Sequence, residues 1–337
     1  MFTAKLWSMA RGTMLGLSGL LWAVILFCYW RQPDCCAALI IWPRWVWLGP
    51  GLLLGLLGWN RKNKIPGSLV LLLWLCFLLL VVEEPRSLVR FRTSPAREWQ
   101  EAKRQGQALR VISLNCAGET KAANEVAAYT PDIVLLQESP RQREVTELAK
   151  RFFGREGESI WGPDCSIIVR GRILSVHVSP SLYFVRAHLL TASGIEAEAI
   201  STRFSPAVLD SRLWTTTCWR DHSSRRRVHR EQMQKIAQEL VSIPETIPLI
   251  VGGDFNTPSG DAIFRLLQPR LSDTFREGGK GWGNTVVNDM PVARIDQVWT
   301  SDHFRAARVV AEKTRYSDHR MVICDLLLLS HKSSQPP

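Results

Sequence analysis

The sequence predicts an α/β domain built as a four-layer sandwich, with two stacked mixed β-sheets flanked by helices, preceded by three transmembrane helices. Three observations lead to this prediction. Long apolar stretches fill residues 1–84, strand and helix patterns alternate in 109–151 and 228–299, and short β-rich runs typical of antiparallel hairpins occupy 160–204. Two sheets formed from these strands are expected to pack face to face, with the helices covering their outer faces.

The membrane region rests on apolar stretches at about 13–30, 42–59 and 65–82. Each approaches the roughly twenty apolar residues that a helix needs to cross a ~30 Å hydrocarbon core. Tryptophans lie near several of their ends, as is typical of the membrane interface. No small-residue cleavage site follows the first stretch, so anchors are predicted rather than a signal peptide, with buried core helices as the alternative.

Basic residues predict the orientation of these spans. Lys5 and Arg11 precede the first stretch and 61–64 is a basic loop, so both are expected in the cytoplasm. Three crossings then place the large domain in an extracytoplasmic space. Four arginines beyond the third stretch favour the opposite orientation: Arg86, Arg90, Arg92 and Arg97.

Beyond the membrane region, residues 85–108 read as a charged connector, 109–329 as one domain and 330–337 as a polar tail. After Glu84 the chain has 35 basic and 28 acidic residues, a net charge of +7 out of +11 for the whole chain. This balance favours anionic partners such as phosphate esters, nucleic acid or lipid headgroups without choosing among them. No Cys-x-x-Cys spacing occurs, which argues against a thiolate zinc site.

Within the domain, predicted strands lead to polar residues. The strands are expected at 109–114, 132–136, 165–169, 173–178, 183–189, 195–204, 247–251, 295–299 and 321–328, with a turn at Gly171. Helices are expected at 122–128, 141–151, 228–241 and 257–267, the last with Thr257 as N-cap and Pro258 at its first position. Residues 205–227 read as a long irregular loop.

Five short segments stand beside these strands: Leu114-Asn115, Gln137-Glu138, Gly253-Asp254-Phe255-Asn256, Arg294-Ile295-Asp296 and Ser317-Asp318-His319. They supply carboxylate and amide oxygens, which suit Mg²⁺ or Mn²⁺, and one histidine with a carboxylate available to hold it. That combination is suited to metal-assisted cleavage of a phosphate ester.

The five segments, in this order, closely resemble the endonuclease/exonuclease/phosphatase superfamily over about Leu109 to Leu329. This superfamily includes DNase-type and abasic-site nucleases, neutral sphingomyelinases and inositol polyphosphate 5-phosphatases. The resemblance implies a role for each polar residue: Asn115, Glu138 and Asp318 at the metal, Asp254 on the attacking water, Asn256 on the phosphate, and His319 as acid or base held by Asp296. Many relatives carry an acidic residue where this chain has Ala117.

Two positions stay open. Many relatives have a second histidine at the end of a mid-domain strand, and either His188 or the pair Thr202-Arg203 matches it, with Arg203 favoured by strand order. Arg230 ends a basic segment, residues 220–230, that could contact a polyanion or lipid headgroups or simply be a solvated helix start.

The predicted function is a membrane-anchored, Mg²⁺-dependent phosphoesterase that hydrolyses phosphodiester bonds as a nuclease does. The alternatives are a phospholipid or sphingomyelin phosphodiesterase, or a phosphatase, of the same fold. A catalytically weak, membrane-tethered binding protein is the alternative outside enzymes.

Overall fold

The computed structural model describes residues 2–90, 96–178 and 183–329, so the predicted tail at 330–337 lies outside the described residues. The chain forms two compact units. The first, here the helical unit, consists of Met1–Arg86 and Val208–Arg227. The second, here the sheet unit, consists of Ser87–Ala207 and Val228–Pro337.

The helical unit is built around one long apolar helix. Its helices are α1 (Phe2–Arg31), α2 (Ala37–Ile40), α3 (Leu48–Gly58) and α4 (Lys64–Leu80), with 3₁₀ turns at Asp34–Cys36 and Arg44–Trp47. Ser18 Oγ donates to the Gly51 carbonyl at 2.7 Å, and Trp74 Nε1 donates to Ser18 Oγ at 3.0 Å. These bonds tie α1 to the two later helices, where no water would otherwise satisfy the buried groups.

The prediction of three membrane spans is wrong. Among the described residues, one helix segment, Trp7–Arg31, is long and apolar enough to cross a membrane by itself. The second predicted span, 42–59, corresponds to Arg44–Gly58, which is long enough only if it is counted together with Asp34–Ile40, and these two helices are bent by 79° at a break that contains Pro43. The third, Lys64–Leu80, has 17 residues and so rises only ~26 Å. The extracytoplasmic placement predicted for 109–329 requires three crossings and is therefore not supported.

The sheet unit carries the strands β1 (Ala108–Asn115), β2 (Ile133–Gln137), β3 (Gly157–Trp161), β4 (Cys165–Val178), β5 (Phe184–Thr191), β6 (Glu196–Arg203), β7 (Leu249–Asp254), β8 (Ser272–Asp273), β9 (Asp296–Thr300), β10 (Phe304–Glu312) and β11 (Met321–Leu328). Their order is β10-β11-β1-β2-β4-β5-β6-β7-β9-β8, with β3 on β4. The pairs β1/β2 and β6/β7 are parallel and the others antiparallel.

Helices surround this sheet: α5 (Glu84–Val89), α6 (Ala96–Arg104), α7 (Thr120–Glu125), α8 (Gln142–Phe153), α9 (Thr216–Val241) and α10 (Thr274–Gly278). The expected α/β class is therefore confirmed, as a large curled mixed sheet flanked by helices. Two separate stacked sheets are not confirmed, because the strands of the described chain form one continuous path.

The sheet is continuous because β4 runs through two predicted strands, 165–169 and 173–178. Its first half, Cys165–Val169, pairs with β2, and its second half, Gly171–Val178, pairs with β5. Gly171 is not the predicted turn but a point inside the strand, with φ of +146°. A Cβ there would lie 2.1 Å from the Leu190 carbonyl oxygen, so only glycine lets the two strands approach at the changeover.

The core shows why the sheet curls. Leu109 and Val111 of β1 face a buried cluster drawn from strands at both ends of the sheet, whereas Ile112 and Leu114 face a second cluster beneath α7 and α8. This is the period-two alternation of a strand with both faces buried. A third cluster packs β6 and β7 under α9 through side chains such as Met233 and Ile236.

Two helix predictions need correction. Helix α9 begins at Thr216, twelve residues before the predicted start, so 205–227 is only partly irregular. The helix expected from Thr257 is a 3₁₀ helix at Ala262–Leu267, capped by Asp261, whose side chain accepts from the Ile263 N–H at 2.9 Å. Thr257 Oγ1 instead bonds His229 Nδ1 at 2.8 Å, so a tertiary contact takes the place of the local cap.

Replacement of Gly171 tests the role of the changeover. Gly171→Ala should destabilise the protein by about 3 kcal/mol, because it adds a backbone clash to an unfavourable φ. Gly194→Ala is the matched control, since Gly194 has φ of +83° and open space around it, and should cost about 1 kcal/mol. Denaturant unfolding of the full chain in detergent measures both, and equal losses would contradict this account.

Candidate active site

The polar residues of the five segments meet where strands end or begin. Asn115 ends β1 beside Gln137, the last residue of β2, in parallel register. Asp254 ends β7, paired with Arg203 at the end of β6 and with Asp296 at the start of β9. Strand register thus delivers these side chains to one edge, as expected where parallel strands finish together.

Asp254, Asp296 and His319 form a buried cluster whose ligand atoms all lie within 4.8 Å of one another. His319 Nδ1 and Asp296 Oδ2 are 2.9 Å apart. The exposed fractions are 1% for Asp254, 0% for Asp296 and 7% for His319. Such burial makes the three groups interact strongly, because little water screens them.

These interactions raise the pKa values of two members of the cluster, Asp254 and His319. Burial raises the pKa of Asp254 to about 7, the negative charge of Asp296 adds to this rise, and His319 opposes it. Burial alone would lower the pKa of His319, but Asp296 outweighs it by charge and hydrogen bond, and the pKa of His319 is raised to about 10. At neutral pH the histidine is therefore a cation, while Asp254 is poised to exchange a proton.

Asn115 joins the two halves of the site. Its Nδ2 donates to Glu138 Oε1 at 3.1 Å and to Asp254 Oδ2 at 3.0 Å, while its Oδ1 accepts the Ala117 N–H at 3.0 Å. The amide nitrogen of Asn115 therefore holds the carboxylates of Glu138 and Asp254 next to each other. Its amide oxygen, the atom considered as a metal ligand, is engaged by backbone.

Arg203 reaches the same carboxylate. Its Nη2 donates to Glu138 Oε1 at 2.8 Å, and its Nη1 lies 3.2 Å from both carboxylate oxygens of Asp164. His188, in contrast, pairs with Glu198 on β6, five residues or ~17 Å before Arg203. Both nitrogens of His188 contact carboxylates, those of Glu196 and Glu198. The structure therefore brings Arg203, and not His188, to the cluster.

Asn256 lies in the turn after β7 with a positive φ of 47°. Its backbone N–H donates to Asp254 Oδ1 at 2.9 Å, and its Nδ2 donates to the Phe204 carbonyl at 3.0 Å and to Asp254 Oδ2 at 3.1 Å. Glu138 also has a positive φ, of 43°. Unfavourable backbone at non-glycine residues persists only where the surroundings impose it, and functional sites are typical places.

The remaining predicted residues lie at the margin. Asp318 is exposed and outside the three-residue cluster, although its charge adds to the raised pKa of His319. Arg230 is half-buried on α9, next to His229, which contacts the Ser205 carbonyl at 2.7 Å.

Two supporting residues were not predicted. Asp164 holds Arg203 and is signalled only by the Gly162-Pro163-Asp164 turn before β4. Ser317 donates to the Asn115 carbonyl at 2.7 Å and accepts the His319 N–H at 3.0 Å, which fixes the fifth segment against the first. Its place in Ser317-Asp318-His319 was visible, but its partner 202 residues away was not.

The donor set fits a hard divalent cation. Glu138 and Asp254 both accept from the one Asn115 amide, so their oxygens are near neighbours, and Asp296 adds a third carboxylate. Asp296 Oδ1 is buried and has no hydrogen-bond partner among the described residues. Buried acidic oxygens gathered in this way are stabilised by a cation, and oxygen ligands are those that Mg²⁺ and Mn²⁺ prefer.

Comparison with known proteins gives one family. Residues 112–319 match the model of the Endonuclease/Exonuclease/phosphatase family. No curated protein sequence matches the chain.

Solved structures resemble the chain at low sequence identity. An endonuclease/exonuclease/phosphatase from Bacteroides vulgatus is 15% identical with a TM-score of 0.52, covering 66% of this chain and 99% of that one. One from Beutenbergia cavernae is 17% identical with a TM-score of 0.50, covering 66% and 72%. D. rerio TDP2, solved with a single-strand DNA product, is 18% identical with a TM-score of 0.48, covering 65% and 98%.

Removal of the carboxylate beside His319 tests the electrostatics of the cluster. Asp296→Asn should lower the pKa of His319 from about 10 toward its ordinary value of 6.5, because Asp296 raises it more than the other two carboxylates, Asp254 and Asp318, do. NMR titration of the full chain in detergent, with His319→Gln for assignment, measures this. Asp302→Asn beside His303 is the control and should leave His319 unchanged. A pKa of His319 that stays near 10 in Asp296→Asn would contradict the assignment.

Proposed function

The chain belongs to the endonuclease/exonuclease/phosphatase family, and on that basis we propose that it is a membrane-attached phosphoesterase that hydrolyses phosphodiester bonds with Mg²⁺ or Mn²⁺. Family members are phosphoesterase hydrolases, mostly metal-dependent. The observation that carries the proposal is the buried Asp254–Asp296–His319 cluster, joined by Asn115 to Glu138.

The proposed chemical roles follow from the geometry of the cluster. Asp254 accepts a proton from the attacking water, and His319, whose Nδ1 lies 2.9 Å from Asp296 Oδ2, stabilises negative charge on the phosphate or donates a proton. Asn256, whose Nδ2 donates to the Phe204 carbonyl and to Asp254 Oδ2, remains a proposed phosphate contact that would exchange one of these bonds for a phosphate oxygen.

The cation would be held by Glu138 together with carboxylate oxygens of the cluster, and Asp318 is the predicted further ligand. When bound, it supplies positive charge to the phosphate oxygens and lowers the pKa of water. Arg203 adds a fixed positive charge beside Glu138, where many relatives have histidine, and Arg230 remains a predicted phosphate contact.

The first candidate substrate is nucleic acid, a polyanion that a net charge of +7 after Glu84 attracts. The second candidate, a phospholipid headgroup, is favoured by the apolar surface of the helical unit. Trp30, Leu20 and Phe27 of α1 are 73%, 62% and 53% exposed. A soluble protein rarely leaves such a continuous apolar surface in water.

Loss of activity in two variants tests the enzyme. The full chain in detergent should cleave DNA, RNA, sphingomyelin or a small phosphodiester with Mg²⁺ or Mn²⁺ and not with EDTA. His319→Ala should lower turnover by about 10³-fold. Glu138→Ala should lower turnover when the metal concentration is low, because Glu138 is the proposed ligand of the cation.

His188→Ala is the matched control and should retain activity, because His188 lies at the other end of β5 and β6. The substrate that is cleaved decides between the two candidates. A folded wild-type protein that cleaves none of them, or a His319→Ala variant with full activity, would support the binding-protein alternative.

Membrane attachment is supported by how α1 is packed. Only 28% of its most apolar window is buried, whereas the core helix of a soluble protein is mostly buried. Trp22 Nε1 donates to the Leu73 carbonyl at 3.0 Å, so α1 is joined to α4 and is part of a folded unit, unlike a signal sequence that is removed.

Charge on the exposed face of α1 tests this attachment. The wild-type chain should stay with membranes after alkaline carbonate extraction. Leu20→Lys with Phe27→Lys should release it, because each buried lysine costs roughly 2.5–3.5 kcal/mol in a bilayer. Gln142→Lys with Thr146→Lys, on the exposed face of α8, should have no effect. A wild-type chain that is extracted would contradict membrane attachment.

A further inference from the structure

Residues 208–227, here called the insert, fold with the N-terminal helices although more than 120 residues separate them in sequence. The insert comprises the segment before α9 and the first turns of that helix. The sheet unit, in contrast, includes the residues on both sides of it. A surface segment that leaves its own domain in this way is expected to serve something other than the core of that domain.

One buried arginine holds the insert to the end of α1. Arg226 has 7% of its side chain exposed. Its guanidinium donates to the Gln32 carbonyl at 2.8 Å and to Asp34 Oδ1 at 2.6 Å. Gln32 directly follows α1, whose last residues are Trp30 and Arg31. The insert is therefore fixed at the point where the apolar helix ends, which is the depth of the interface if α1 lies in a membrane.

The insert also has an internal structure. His222 Nε2 lies 2.8 Å from the Asp210 carbonyl, and Cys218 Sγ donates to the same carbonyl at 3.3 Å. Trp219 Nε1 donates to the Leu213 carbonyl at 2.8 Å. These bonds close the segment onto the start of α9, so it presents a defined surface.

That surface exposes large apolar side chains. Leu209 is 91% exposed and Trp214 is 82% exposed, whereas Trp219 is turned inward. Exposed tryptophan beside leucine is unfavourable in water but typical of the membrane interface, where an amphipathic ring finds both apolar and polar surroundings.

The charge of the insert has the sign that anionic lipids attract. It contains five arginines, Arg212, Arg220, Arg225, Arg226 and Arg227, against Asp210 and Asp221, a net charge of +3. Arg212, Arg220 and Arg227 are exposed. Arginine around exposed Trp and Leu is the composition of segments that lie in the headgroup region.

We infer that the insert is a second membrane-contact element, in which Leu209 and Trp214 enter the headgroup region of the bilayer and the exposed arginines contact anionic lipid phosphates. The inference rests on the membrane attachment proposed for α1 and goes beyond it. An anchoring helix tethers the chain, whereas this second contact lies in the segment that leads into α9. A lid over the candidate active site is the competing role.

Photo-crosslinking in vesicles tests the inference. The full chain carrying benzoylphenylalanine in place of Leu209 or Trp214 is reconstituted with phosphatidylcholine and phosphatidylglycerol and irradiated. Lipid adducts, identified by mass spectrometry, are expected at both positions. Benzoylphenylalanine in place of Arg143 on α8, a side chain that is 90% exposed, is the matched control and should give none.

The charge contribution is measured in the same way. Arg212→Ala, Arg220→Ala and Arg227→Ala combined should lower phosphatidylglycerol adducts at Trp214 by about fivefold or more and leave phosphatidylcholine adducts nearly unchanged. An equal loss of phosphatidylglycerol and phosphatidylcholine adducts would contradict the proposed contacts between the arginines and anionic lipid phosphates.

Two other outcomes overturn the inference itself. Crosslinks from positions 209 and 214 to peptides of the sheet unit would identify the insert as a lid, and reaction with neither lipid nor protein would place it in solvent. Because this readout needs no turnover, an inactive protein that gives lipid adducts overturns the proposed enzyme and leaves the inference standing. A chain that leaves membranes on carbonate extraction overturns the attachment on which the inference rests.

Discussion

The arrangement of the sheet unit depends on keeping Asp254, Asp296 and His319 buried together. A single buried carboxylate is unfavourable, and here the charge of Asp296 further raises the cost of ionising Asp254. The protonated His319 offsets part of this cost through its bond to Asp296. The balance is incomplete, since burial and Asp296 still raise the pKa of Asp254 to about 7. The same constraint that favours binding of a cation also leaves one carboxylate able to take up a proton near neutrality.

Bonds between distant parts of the chain hold that cluster in place. Asn115 links the end of β1 to the end of β7, and Ser317 links β1 to the loop that carries His319. Beneath them, Gln137 donates to Ser201 Oγ at 3.0 Å, which in turn donates to the Leu136 carbonyl at 2.9 Å. These are buried polar groups with partners, and such networks select one arrangement, because any other leaves a group without a bond.

The helical unit follows a different physical logic. Its outward faces are apolar and its polar bonds, such as Ser18 to Gly51 and Trp22 to Leu73, point inward. That distribution is stable where the surrounding solvent is itself apolar. The ion pair between Arg226 and Asp34 stands at the end of the apolar helix, where a charged pair is less costly than within it. The chain thus combines a unit with an apolar surface and a unit whose buried carboxylates suit a divalent cation.

The sequence by itself determined the five polar segments, their strand-end positions and the metal-type chemistry of their side chains, because strand periodicity and residue type are local properties. It did not determine the number of spans, since hydropathy does not record the bend at Pro43 or the short length of α4. It left His188 and Arg203 as alternatives. Only the strand register decided between them, because His188 lies opposite Glu198, five residues before Arg203 on β6, whereas Arg203 lies opposite Asp254. Asp164, Ser317 and Arg226 act through partners far along the chain, so only tertiary structure decides what they hold.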